Sequence, residues 1–356
     1  MHAKAAKREA LREERGTAAT LRDLSTPHKP GAAKPRRVRP VRPVSLRERW
    51  LYALKPGSWP KLLVAAVLGQ AIGIAAAGRA DVVALLAGFA FTMLHLSFVV
   101  LINDWGDQEV DALKRRLFPE LCSPKTLVDG ILEPRSVLLA GLGAAALGGG
   151  VAVGAQLWFD RPGLALGAAA CMALFWAYTL PPIRLNYRGG GELLEMIGVG
   201  FALPWWNAYL QSGEVSPPGM VILPAFLLLA LSSALASGLS DEPSDRLGGK
   251  RTFTVLFGAA PVRQAVEGLV IGAMVVWALL PLLAPGTVSG LVLAPVIVVM
   301  AMEFVDLREA GASSDVETYR GIAHYKDLLH NCIWRGTTVL SVLLVAGTLL
   351  FGGGHV

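Results

Sequence analysis

Long runs of apolar residues separated by short polar stretches dominate this chain. A membrane-spanning helix needs about 20 predominantly apolar residues, and nine runs come close to that length or reach it. The nine runs are residues 61–79, 82–102, 136–157, 162–180, 192–210, 220–240, 263–282, 287–304 and 334–352. The pattern predicts an all-α integral membrane protein with nine transmembrane helices.

Composition supports the same class. Hydrophobic residues make up 53% of the 356 residues and charged residues only 17%, and the mean hydropathy is +0.50. Soluble domains carry about 25% charged residues. Together with the nine apolar runs, this balance excludes a soluble protein.

The first 55 residues differ from the rest of the chain. They are rich in Arg, Lys, Pro and Ala and contain no long apolar run, a composition typical of disorder. We predict a basic, disordered cytoplasmic tail over 1–55 and a nine-helix membrane domain over 56–356. The tail either sets the membrane topology or contacts anionic lipid, and we expect no nucleic-acid partner.

Basic residues divide unevenly between the two sides of the predicted helices. All of the 33 Lys and Arg residues except Arg79 and Arg161 lie in the N-terminal tail or in the loops on that same side. Loops rich in Lys and Arg stay in the cytoplasm. The pattern predicts a cytoplasmic N-terminus, a C-terminus on the opposite side, and cytoplasmic placement of every long loop.

An acidic motif follows the second predicted helix. Its pattern is N-D-x-x-D-x-x-x-D, formed by Asn103, Asp104, Asp107 and Asp111. If the helix continues through the motif, the three carboxylates share one face. Such a face repels itself unless a cation is present, and Mg²⁺ suits carboxylate oxygens shared with substrate phosphates.

A second acidic motif follows the sixth predicted helix, where Asp241 and Asp245 are four residues apart and Lys250 and Arg251 come shortly after. Both motifs leave an even-numbered helix on the cytoplasmic side, so they can face one central cavity that opens to that side. Two carboxylate clusters with nearby cations suit a diphosphate held through metal.

The loop between the motifs carries further candidates. Tyr178 precedes a pair of prolines that end the fourth predicted helix, and Arg184 and Arg188 are spaced to contact phosphate. A glycine run then allows a tight return into the fifth helix.

These motifs together resemble the UbiA-type superfamily of intramembrane prenyltransferases, over about residues 50–352. The resemblance implies that Asp104, Asp107 and Asp111 hold one Mg²⁺, with Asn103 beside them. It implies that Asp241 and Asp245 hold a second ion.

The resemblance also extends to basic residues. Lys125 begins Lys-Thr-Leu-Val-Asp-Gly, which is similar to the family's Arg-Pro-Leu-x-x-Gly, and Lys55-Pro56 is similar to the basic-Pro pair that begins helix one. These matches imply diphosphate binding by both lysines. Tyr178 is the aromatic candidate for stabilising an allylic cation.

The stretch 178–192 resembles the menaquinone and phylloquinone branch, which implies 1,4-dihydroxy-2-naphthoate as the aromatic acceptor of a polyprenyl diphosphate. The prenyl tail is expected to lie between helices, in contact with membrane lipid. Chlorophyll-synthase-like, haem-farnesylating and lipid-alcohol branches remain alternatives.

A membrane transporter is the main alternative of a different class, because intramembrane carboxylates often mark ion pathways. The carboxylates here lie at helix ends, which favours the enzyme. The expected setting is a bacterial inner membrane.

Overall fold

The computed structural model describes residues 45–351, and within that range it is helical with no β-strand. We number the α-helices in chain order. They are α1 (Leu46–Leu54), α2 (Pro60–Ala77), α3 (Val82–Gly106), α4 (Gln108–Leu117), α5 (Pro134–Phe159), α6 (Leu164–Thr179), α7 (Gly191–Ile197), α8 (Leu203–Ser212), α9 (Leu223–Leu247), α10 (Phe253–Phe257), α11 (Ala259–Leu283), α12 (Gly290–Ala312) and α13 (Tyr319–Phe351).

Seven helices among the described residues are long and apolar enough to cross a membrane. They are α2, α3, α5, α9, α11, α12 and α13. The other two predicted spans are shorter or divided: α6 has 16 residues, and α7 and α8 are joined by the π-helical turn Gly198–Ala202. The membrane class is confirmed, and the number nine stays a prediction.

The long helices form a closed bundle. Consecutive or near-consecutive helices pack side by side, with α3 against α5, α9 against α11 and α12 against α13. The last helix, α13, also packs against α2, which in turn lies against α8. Because α13 packs against α2, the interior of the bundle is lined by residues from distant parts of the chain.

The contact between α2 and α8 depends on small residues. A Cβ atom built on Gly69 would lie 2.2 Å from the carbonyl oxygen of Pro204, and one on Gly73 would lie 2.6 Å from that of Ala208. Both distances are far below van der Waals contact. Glycine therefore allows the two backbones to approach closely, as in many membrane helix pairs.

Helix α1 lies within the segment that we predicted to be a disordered tail. Ser45 and Glu48 cap its N-terminus reciprocally, and Trp50 and Ala53 pack in a cluster with Leu101 and Val137. The expected disorder thus does not apply to 46–54, because this short segment has its own apolar face. Residues 1–44 lie outside the described residues.

Candidate active site

The first acidic motif lies where α3 passes into α4. The helix does not continue unbroken through the motif but is divided at Asp107, whose φ of −109° and ψ of 20° are not helical. Two backbone bonds nevertheless cross the division, from Asp107 N to Asn103 O and from Asp111 N to Asp107 O, each 2.9 Å. The three carboxylates therefore stay close in register, and all three are buried.

Each aspartate of the two motifs lies within ion-pair distance of a lysine. Three of these ion pairs are close contacts: Lys55 with Asp104, Lys125 with Asp111, and Lys114 with Asp241. Buried charges need such partners, because an unpaired charge away from water is very costly. Three lysines that are far apart from one another or from their partners in the sequence therefore meet at the acidic residues.

Lys250 connects the two motifs directly. Its Nζ lies 2.7 Å from Asp107 Oδ2 and 3.9 Å from Asp245 Oδ1. Burial alone would lower the pKa of Lys250, but the two carboxylates outweigh burial and raise its pKa above the usual value. The ammonium group of Lys250 thus lies within ion-pair distance of both acidic motifs, which shows that the two motifs meet.

The oxygen donors are suited to magnesium. Asp104 Oδ2 is buried without a hydrogen-bond partner, and buried polar atoms rarely lack one. In the range 45–351, no three His, Cys, Asp or Glu side chains are placed to bind a metal by themselves. Mg²⁺ commonly takes only one or two carboxylates and completes its shell with water and substrate phosphate, so this donor set fits it.

The loop after α6 contributes Arg184 to the same region. Its Nη2 donates to the Gly106 carbonyl at 3.1 Å, and its guanidinium lies 3.6 Å from the centre of the Tyr187 ring. Tyr187 in turn donates its hydroxyl hydrogen to Asp107 Oδ1 at 2.9 Å. Arg188, by contrast, is exposed, so the structure brings only one of the two predicted loop arginines to the motif.

Lys250 and Arg251, which the sequence could not distinguish, have different surroundings. The side chain of Lys250 is buried between the motifs, whereas Arg251 is exposed. The backbone explains the difference, since Gly249 adopts a left-handed φ of 74° and Lys250 N donates to Asp245 O at 2.9 Å. The chain therefore turns Lys250 back onto the end of α9.

The loop that carries Lys125 is fixed by Asp129. This carboxylate accepts hydrogen bonds from Tyr52 at 2.5 Å, from Arg115 at 2.8 Å, and from the backbone N of Lys125 at 3.1 Å. Burial, followed by the nearby Asp129, raises the pKa of Tyr52 to about 12. Helices α1 and α4 thereby hold the loop in the position from which Lys125 reaches Asp111.

A cavity of about 280 Å³ lies beside the first motif, near the lower end of the range for small-molecule sites. Lys55 and Asn103 line its motif side, and Tyr178 and Phe175 line another wall. The rings of Tyr178 and Phe175 stack with centroids 5.9 Å apart. The predicted aromatic candidate therefore faces a cavity that adjoins the acidic residues.

A second, larger groove of about 650 Å³ lies between α2, α3 and α13, and its walls are almost entirely apolar. Leu86, Phe89 and Leu349 on its walls are more than half exposed at the protein surface. A groove of this kind suits a hydrocarbon chain in contact with lipid.

Sequence reasoning missed two residues of the site, Lys114 and Tyr187. Lys114 pairs with Asp241 and Tyr187 with Asp107. A signal for Lys114 was present, because it lies three residues after Asp111 and so shares a helix face with it. Tyr187 carries no such signal, since its position depends on the irregular loop around it.

Comparison with known proteins agrees with this geometry. Residues 62–319 match the family model described as "UbiA prenyltransferase family". The chain is 31% identical over 308 residues to the 1,4-dihydroxy-2-naphthoate octaprenyltransferase of Mycobacterium tuberculosis, which covers 85% of this chain and 97% of the relative. It is 26% identical over 234 residues to the chloroplastic chlorophyll synthase of Oryza sativa, which covers 62% of this chain and 58% of that one.

Solved structures share the fold. A UbiA homolog from Archaeoglobus fulgidus bound to DMAPP and Mg²⁺ superposes with a TM-score of 0.61 at 18% identity, covering 83% of this chain and all of that one. The family match, the relatives and the meeting of two acidic motifs point to one conclusion. This chain belongs to the UbiA prenyltransferase family and is an integral membrane prenyltransferase.

Proposed function

We propose that this enzyme transfers a polyprenyl chain from its diphosphate to 1,4-dihydroxy-2-naphthoate, with Mg²⁺ held by the two acidic motifs. The observation that carries the proposal is the contact of Lys250 with both Asp107 and Asp245, near a cavity that adjoins the first motif. The naphthoate acceptor is supported by the relative from Mycobacterium tuberculosis, nearly all of which this chain covers.

The carboxylates of Asp104, Asp107 and Asp111, with Asn103 beside them, and those of Asp241 and Asp245 are the ligands for magnesium in this proposal. Bound there, Mg²⁺ would supply positive charge that makes diphosphate a better leaving group. The lysines that now face these carboxylates would turn to phosphate oxygens when diphosphate is present. Lys55, Lys114, Lys125 and Lys250 each pair with a motif carboxylate, and Arg184 binds the backbone of the first motif at Gly106.

The reacting carbon of the prenyl chain would lie in the cavity beside Tyr178. Tyr178 and Phe175 line this cavity, and their electron-rich rings would stabilise a developing allylic cation there. Most of the remaining wall is apolar. An apolar wall excludes water, which would otherwise capture the cation in place of the acceptor. The C–O bond to the diphosphate would break, a C–C bond to the acceptor ring would form, and the ring carbon would then lose a proton to restore the aromatic system.

The rest of the prenyl chain would occupy the groove between α2, α3 and α13. Burying each CH₂ group away from water is favourable by about 0.8 kcal/mol, so a long chain gains much from this apolar surface. The proposed setting is a bacterial inner membrane, with the N-terminus in the cytoplasm and the C-terminus on the other side. Support for this orientation comes from the distribution of Lys and Arg along the loops.

A second candidate acceptor is a chlorophyllide-like tetrapyrrole. The similarity of 234 residues to chlorophyll synthase supports it, although this chain spans only 58% of that relative. The longer match to the naphthoate prenyltransferase of Mycobacterium tuberculosis, over 308 residues, favours the bicyclic acceptor.

The acceptor can be identified by supplying membranes that contain the enzyme with labelled geranylgeranyl diphosphate and one acceptor at a time. We expect a labelled lipid product with 1,4-dihydroxy-2-naphthoate and none with chlorophyllide. Product with chlorophyllide alone would replace the naphthoate assignment and leave the prenyltransferase class intact. Membranes with the Asp245→Asn variant serve as the control for endogenous activity.

A further inference from the structure

An ion pair that belongs to neither acidic motif faces the cavity. Lys61, in the first turn of α2, pairs with Glu195 of α7, and both side chains line the cavity wall. About one fifth of each side chain is exposed, 21% for Lys61 and 20% for Glu195. The pair is therefore reachable by a molecule that occupies the cavity.

The other acidic residue of α7 has a different use. Glu192 Oε1 accepts a hydrogen bond of 2.7 Å from the backbone N of Phe253, so it fastens the segment that follows Lys250. Glu195 lies one turn later and points to the cavity instead. Glu192 therefore holds the backbone of a neighbouring segment, whereas Glu195 pairs with Lys61 at the cavity wall.

The backbone next to Glu195 is also unusual. The π-helical turn Gly198–Ala202 begins three residues later, and Gly198 and Val199 line the same cavity. Single π-turns inside helices occur frequently at functional sites. Two charged groups in a largely apolar cavity also carry a desolvation cost that an apolar contact between α2 and α7 would avoid.

We propose that Lys61 binds the acidic group of the acceptor and that Glu195 then accepts a hydrogen bond from an acceptor hydroxyl. The inference rests on the proposed function and narrows its acceptor to a hydroxylated aromatic ring with a carboxylate. Binding exchanges one carboxylate for another at Lys61, so the charge on the lysine stays paired throughout. Lys55, the other cavity lysine, is held by Asp104 and belongs to the diphosphate side.

The test compares two acceptors that differ only in the acidic group, 1,4-dihydroxy-2-naphthoate and 1,4-dihydroxynaphthalene. Membranes with the full-length enzyme receive labelled geranylgeranyl diphosphate and a range of each acceptor. For the wild type we expect a lower KM for the carboxylate. For Lys61→Met we expect the KM of the carboxylate to rise about 10-fold or more, since a charged hydrogen bond is lost, with little change for the naphthalenediol.

Two further variants separate this role from a structural one. Lys61→Arg keeps the charge and should restore most of the preference for the carboxylate. Arg335→Met breaks an ion pair between α13 and Glu303 of α12, away from the residues that line the cavity, and should leave the preference unchanged. If Lys61→Met yields too little folded protein, Lys61→Gln removes the charge while keeping a polar side chain and makes the same comparison.

The outcomes of this comparison distinguish acceptor binding by Lys61 from a purely structural role. An equal rise in KM for both acceptors in Lys61→Met would show that the pair only joins α2 to α7, and the inference would be wrong. Equal KM values for both acceptors in the wild type would also overturn it while leaving the naphthoate assignment in place. Failure of the wild type to prenylate either acceptor would overturn both the assignment and the inference.

Discussion

Lys250 and Asp107 form a buried ion pair across the site, with Nζ 2.7 Å from Oδ2. The two residues are 143 positions apart, and each belongs to a different acidic region of the chain. The ion pair therefore brings the two acidic regions into direct contact in the folded bundle. In the proposed function, the phosphate oxygens of the substrate compete with Asp107 for the ammonium group of Lys250.

Loss of Lys250 should weaken binding of the prenyl diphosphate. In Lys250→Met we expect the KM for geranylgeranyl diphosphate to rise about 10-fold or more, because a charged hydrogen bond contributes about 1.5–3 kcal/mol. Steady-state kinetics in membranes measure this change. Arg251→Met is the matched control, since its side chain is exposed, and a similar rise in both variants would contradict the structural difference between these neighbours.

Loss of a motif carboxylate should abolish turnover. In Asp107→Asn we expect kcat to fall at least about 100-fold, because the residue loses the charge needed for a metal and for Lys250. Glu109→Gln makes the same chemical change at an exposed position within the motif and should keep nearly full activity. Size-exclusion chromatography in detergent checks that both variants remain folded, and an active Asp107→Asn enzyme would refute the metal assignment.

Asp129 should act as a positioning residue for Lys125. Asp129→Asn weakens the contacts with Arg115 and Tyr52, so the loop should lose its fixed position and the KM for the prenyl diphosphate should rise several-fold. Glu120→Gln alters an exposed carboxylate of the same loop and should leave the KM for the prenyl diphosphate unchanged. If Asp129→Asn lowers only the amount of folded protein and leaves KM unchanged, the residue stabilises the fold without positioning Lys125.

The close contact of α2 and α8 gives a prediction about stability. Gly69→Ala places a methyl group 2.2 Å from the Pro204 carbonyl oxygen, and overpacking of this kind costs about 1–3 kcal/mol. We expect a lower Tm in detergent. Gly149→Ala in α5 is the control, because nothing lies within 4 Å of the added atom, and equal Tm values for the two variants would contradict the packing.

Much of the fold was predictable from local properties of the sequence. The apolar runs located the long helices, and the end of the fourth run at 180 agrees with the observed end of α6 at Thr179, because a pair of prolines stops the helix there. The acidic motifs were equally visible. Spacing alone placed their carboxylates together, and the structure brings both motifs to one region.

What the sequence could not predict depends on turns and on distant contacts. Whether Lys250 or Arg251 enters the site is decided by the left-handed turn at Gly249, and adjacent residues of equal charge give no hint of it. The division of the helix at Asp107 was also missed. The pairing of Lys114 with Asp241 joins residues 127 positions apart, which no local pattern reports.

The most direct test of the central claim is the metal dependence of prenyl transfer. Membranes with the enzyme are incubated with labelled geranylgeranyl diphosphate and 1,4-dihydroxy-2-naphthoate, and Mg²⁺ is titrated after treatment with EDTA. The account predicts no labelled product in EDTA, recovery with added Mg²⁺, and no recovery in Asp107→Asn or Asp245→Asn. Undiminished product in EDTA, or normal recovery in both variants, would contradict it.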